Sequence, residues 1–234
     1  VAMPDGPGPF PAVIVAMHVF GIGDFVGGKC DELADAGYVA VAPYLFHRSS
    51  VSNAELAGIS ATDPKRFEVG LPLKDQLTDA DIERDMLEAL AHARSMSEVG
   101  VAAGITGFCI GGRIAYLLAA KTEEFGACAV FYGTDIAKAW GDGPTPLSLT
   151  PYLDCALAGF FGNDDTNPSP ADVDTLDAEL DKHGKSHAFH RYDGAPHAFN
   201  DPFNPIRHNP EASADSWPKL VDFFDAALKA PATA

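Results

Sequence analysis

The sequence predicts an α/β fold in which a mostly parallel β-sheet is covered by helices on both faces. Two observations carry that expectation. Short, β-branched apolar runs such as AVIVAM at 12–17 alternate with longer amphipathic stretches, the order that parallel strands and crossover helices require. The chain has 234 residues, 47% of them hydrophobic, enough for one large core and normal for a single α/β domain.

Taken in order, residues 12–17 read as a buried strand followed by a loop, VFGIGDF. Residues 25–36 read as a helix stopped by Gly37, since glycine tolerates the left-handed turn that ends helices. YVAVA at 38–42 is the next strand, closed by Pro43. From Leu45 to about Leu77 the segments SSVSN, TDP and GLP favour turns, and a loop of that length is expected to act as a lid or binding loop. Residues 79–97 form a helix with Ile82, Met86, Leu87 and Leu90 on one face. A strand at 101–106 leads to a helix at 112–120, and strands follow at 126–132 and 155–162. A helix beginning near Pro170, a strand at 186–192 and a helix at 211–229 complete the chain as one domain over residues 1–234.

The net charge of −17 argues against nucleic acid and anionic membrane surfaces as partners. No run approaches the roughly 18–20 apolar residues of a membrane span. The N-terminus lacks the basic-then-apolar order of a signal peptide. Four cysteines, at 30, 109, 128 and 155, form no CxxC pair. A reduced, cytoplasmic compartment is the expectation, with Cys30, Cys128 and Cys155 as core residues. The histidines at 47, 92, 183, 187, 190 and 208 suggest no metal site, and no metal or other cofactor is expected.

Chemistry concentrates in three places. Gly107-Phe108-Cys109-Ile110-Gly111-Gly112 lies between a strand and a helix and has the glycine-nucleophile-glycine form of a tight elbow, with cysteine as nucleophile. A cysteine there projects at a helix N-terminus, whose free N–H groups and partial positive charge favour a thiolate. Asp164 and Asp165 follow the 155–162 strand, and either carboxylate can orient a histidine. His197, in GAPHAF, follows the 186–192 strand. Nucleophile, acid and histidine, each after its own strand, is the chain order of α/β hydrolases.

GFCIGGR, FGNDD and YDGAPHAF resemble the dienelactone hydrolases (carboxymethylenebutenolidases), and YVAVAPYLFHR is similar to the family's segment before its long loop. The likeness runs from about residue 12 to the last helix. It implies a single-domain α/β-hydrolase fold and a Cys109–Asp165–His197 triad, the family spacing selecting Asp165 over Asp164. It also implies an oxyanion hole built from the backbone N–H groups of Val19 and Ile110. The implied reaction is cleavage of a small enol-lactone or activated ester through an acyl-enzyme, with no cofactor; oligomeric state stays open. Family members carry an extra strand or hairpin before the first segment seen here, so an N-terminally trimmed chain is expected. Two positions depart from the family. His18 stands where a glutamate is usual, and is expected, if protonated near Cys109, to hold the thiol as a thiolate. Asp201 stands where an arginine would hold a substrate carboxylate; Arg66, Arg113 and Arg207 are the substitutes, and Phe20, Arg113 and Phe199 are candidate pocket residues. A general carboxylesterase and a non-hydrolytic thiol redox or binding protein are the alternatives on this fold.

Overall fold

The computed structural model describes residues 1–229. Its strands are β1 (Phe10–Ala16), β2 (Val39–Val41), β3 (Val99–Phe108), β4 (Ala127–Phe131), β5 (Ala156–Gly162) and β6 (His187–Tyr192). They form one sheet in the order β2-β1-β3-β4-β5-β6, and every neighbouring pair is parallel. The expected mostly parallel sheet is thus wholly parallel among the six strands. Its helices are α1 (Asp24–Asp35), α2 (Asn53–Ala57), α3 (Lys65–Lys74), α4 (Asp79–Arg94), α5 (Ile110–Lys121), α6 (Pro170–Lys182) and α7 (Pro210–Leu228).

Strand alternation divides the core between the two faces. Ile14, Ile105, Val130 and Phe161 face one side, where residues of α4, α5 and α6 pack. Val13, Val15, Phe131 and Phe160 face the other, against α1 and α7. Burial on both faces explains why the strands read as continuous apolar runs. The chain winds outward in both directions from β1 and β3, so the crevice for a ligand opens at their carboxyl ends.

The stretch 45–77 is more ordered than its composition predicts. Ser52 and Glu55 form a reciprocal capping box that starts α2. Asp63 accepts the Lys65 amide (2.9 Å) ahead of α3, and Pro72 is carried inside that helix. Gly70, read from sequence as part of a turn, is a close-approach residue. A Cβ there would stand 2.7 Å from the Val19 carbonyl oxygen, so glycine lets α3 rest on the loop after β1. A short 3₁₀ helix, Pro146–Tyr152, is also present.

Arg113 and Phe199 are structural, which corrects two pocket candidates. Arg113 is fully buried, pairs with Asp79 through two bonds (2.6 and 3.0 Å), donates to the Asp135 and Lys138 carbonyls, and lies over Trp140. It joins the start of α4 to the start of α5, with every guanidinium nitrogen occupied. Phe199 is fully buried between Tyr132 and Tyr192. Breaking one side of a buried ion pair costs about 3–5 kcal/mol because the other charge is left stranded. Asp79→Asn is therefore expected to lower the unfolding free energy by about that amount in urea denaturation.

Candidate active site

The site grows from the backbone of the β3–α5 turn. Cys109 adopts φ 60°, ψ −120°, a left-handed conformation costly for a side-chain-bearing residue. The surroundings hold it there. Its amide donates to the Phe131 carbonyl (3.1 Å), and its own carbonyl accepts from Gly112 (3.0 Å) and Thr134 (3.2 Å). A Cβ on Gly107 would overlap the Gly111 carbonyl, and one on Gly111 would overlap the Ala16 carbonyl. The glycines of the elbow thus bring the ends of β1 and β3 into backbone contact with the first turn of α5.

A cavity of about 320 Å3 opens above this turn, and its wall includes Cys109, Asp165 and His197. Asp165 follows β5, is 4% exposed, and accepts a 2.7 Å hydrogen bond from Nδ1 of His197. Its other oxygen accepts the Asn167 amide (2.9 Å), which fixes the carboxylate plane. Asp164, the other candidate acid, is exposed. Cys109 and His197 line the same cavity, and Cys109 is among the groups that influence the His197 imidazole. Burial opposes a charge on His197, but its interactions with Cys109 and the Asp165 carboxylate outweigh it and push the imidazole pKa up to about 10.

Val19 and Ile110 both line this cavity. Among the described residues, neither backbone N–H has an acceptor in the protein. That is the free state an anion-binding donor needs. Phe20 also lines the cavity, against Phe67. His18 lies in the same wall, but burial first and the Arg66 charge second depress its pKa to about 3. It is neutral, so the expectation of an imidazolium that holds a thiolate by charge is corrected. Among the proposed arginines, Arg207 lines the cavity, while Arg66 is buried on the Phe20 ring (4.0 Å) and borders an adjoining cleft. Asp201 is 6% exposed and belongs to both spaces.

Several residues here carried no sequence signal. Phe67, Leu71 and Lys74 reach the cavity from α3, four and three residues apart on one helical face. Tyr132 is fully buried and edge-on to His197 at 5.1 Å, with a hydroxyl that has no partner among the described residues. Among the described residues, four besides glycine have positive φ: Cys109, Tyr132, Asp135 and Ala198. All four line this cavity. Strain concentrated in one place marks a functional site, because an unstrained backbone is otherwise favoured.

A parallel sheet with a strained, glycine-flanked turn after β3 and an acid and a histidine after later strands defines an α/β hydrolase. The comparisons narrow this: the family model for the dienelactone hydrolase family matches residues 1–228, and the chain belongs to that family. A Synechocystis protein named "Putative carboxymethylenebutenolidase" is 34% identical over 98% of this chain and 91% of its own length. A protein of the same name from Methylorubrum extorquens is 30% identical over 95% of this chain and 74% of its own length. A Klebsiella pneumoniae crystal structure described as a "Putative Dienelactone Hydrolase" superposes with TM-score 0.82 at 27% identity, covering 94% of this chain and 88% of the other. The chain is a hydrolase of dienelactone hydrolase type, and such a hydrolase acts on a small molecule. No helix among the described residues is long and apolar enough to cross a membrane.

The raised pKa of His197 has a consequence for stability. A group whose pKa rises on folding, here from 6.5 to about 10, stabilises the native state fully below the lower value and loses that contribution as pH climbs through the higher one. The stability difference between wild type and His197→Gln is expected to be largest below pH 6.5 and to shrink towards pH 10, as read by urea denaturation across that range.

Proposed function

We propose that Cys109 is the nucleophile of an ester or enol-lactone hydrolase, with His197 as its acid–base partner and Asp165 as the group that orients His197. The observation that carries the proposal is the strained Cys109 lining one cavity with a histidine that is itself bonded to a buried carboxylate. His197 takes the Cys109 thiol proton, or pairs with the sulfur already as a thiolate, so that an imidazolium stands beside a nucleophilic sulfur. The sulfur attacks the substrate carbonyl, and the electron pair of the C=O bond moves onto oxygen. The free amides of Val19 and Ile110 receive that oxyanion; they favour the tetrahedral state over the ground-state carbonyl. As the intermediate collapses, His197 gives its proton to the departing oxygen. The neutral imidazole then takes a proton from water, hydroxide adds to the thioester, and the acid leaves with Cys109 restored as the thiolate. Thiolates acylate best when the leaving group is good, and an enolate is such a group.

Cys109→Ala is expected to lower hydrolysis of an activated aryl ester and of a dienelactone by about 10⁴-fold or more. Wild type that cleaves neither, while its cysteine alkylates rapidly and oxidises reversibly, would transfer the fold to thiol redox chemistry.

Asp201 favours a second reading of substrate range, a carboxylesterase acting on neutral esters. It is a buried carboxylate on the cavity wall, and a carboxylate-bearing substrate must approach it. Between matched esters, kcat/KM is expected to be higher for the neutral one, with Asp201→Asn narrowing the gap. Equal rates in wild type would remove Asp201 as a selector.

A further inference from the structure

His18 is held more firmly than a loop side chain needs to be. It is 7% exposed, and its carbonyl accepts from the Gly21 amide (3.1 Å). Its ring lies parallel to Phe25 (5.8 Å between centroids, 8° between planes) and edge-on to Phe20 (5.4 Å). The Phe20 amide donates to Nδ1 at 3.0 Å. A ring nitrogen that accepts a hydrogen bond carries no proton, so in the neutral ring the proton sits on Nε2. Among the described residues Nε2 has no protein partner, and it is not sealed from the surrounding space. The ring borders the cavity that holds Cys109, Ile110 and His197.

These facts remove two of the three roles a histidine can take. It is not a base, because its lone pair is engaged by Phe20. It is not a cation, because burial, then Arg66 and, more weakly, His197 disfavour the charged form against the opposing pull of its own carbonyl. What is left is an N–H donor of fixed direction, immediately before Val19 in the loop after β1.

We propose that Nε2–H of His18 is a third oxyanion donor, joining the amides of Val19 and Ile110 on the tetrahedral intermediate. This rests on the hydrolase reading above. A neutral donor suits the task, since it stabilises charge that appears only in the transition state and does not pair with the resting thiolate as a cation would.

The test compares two amides at one position, with wild type and Cys109→Ala alongside, on an activated aryl ester. His18→Asn keeps an oxygen where Nδ1 accepts from Phe20 but has no donor at the Nε2 position; His18→Gln reaches that position with an N–H. His18→Asn is expected to lower kcat by about 10²–10³-fold with KM little changed, and His18→Gln to recover most of the loss. Equal kcat in wild type and His18→Asn, a change in KM alone, or no recovery by Gln would overturn the proposal. An inactive wild type would instead overturn the hydrolase reading on which it stands. A second measurement needs no variant: nitrogen NMR of the wild-type imidazoles should show His18 as the neutral Nε2–H form from pH 5 to 9. Its Nε2–H proton should move downfield when an aldehyde forms a hemithioacetal with Cys109. A charged His18, or no movement on inhibitor binding, would refute it.

Discussion

The close backbone packing beneath Cys109 is the constraint on which the rest of the site depends. Gly107 lies against the Gly111 carbonyl and Gly111 against the Ala16 carbonyl, with no room for a side chain at either position. That packing brings together the ends of β1 and β3 and the N-terminus of α5. It holds Cys109 in a left-handed conformation and sets the loop with His18 and Val19 beside the free amide of Ile110. The Cys109 hydrogen bonds to Phe131 and Thr134 then anchor the β4 loop to the same point. Strain at Cys109 is offset by a core of strands buried on both faces.

On this frame the protein sets two histidines in opposite states within one cavity. Interactions with Cys109 and the Asp165 carboxylate push the pKa of His197 up to about 10, while burial and then the Arg66 charge bring that of His18 down to about 3. On the proposed reading the same ring serves as a proton carrier in one place and as a fixed neutral donor in the other. Environment alone separates the two roles, as it does wherever like groups are assigned unlike tasks.

Much of this was legible along the chain because it is local. All six strands, α1 and the helices from α4 to α7 follow from runs and periods within each segment, and the elbow follows from six consecutive residues. Helix α3 was not legible, since Gly70 and Pro72 carry turn signals; its order comes from Asp63 ahead of its first turn and from contact with the Val19 loop. Arg113, directly after a double glycine, reads both as a helix-start residue and as a candidate ligand contact; only the structure shows that its partner, Asp79, lies on another helix.

By itself the sequence determined the parallel α/β order, the glycine turn around Cys109, and the succession of cysteine, acid and histidine after separate strands. These are properties of short segments, where side-chain size and spacing decide. The tertiary structure decided which aspartate meets His197, that Phe199 and Arg113 belong to the core, that α3 walls the cavity, and that His18 is neutral. Each of those depends on burial and on charges brought close by folding, and such forces act through space between residues that no local pattern relates.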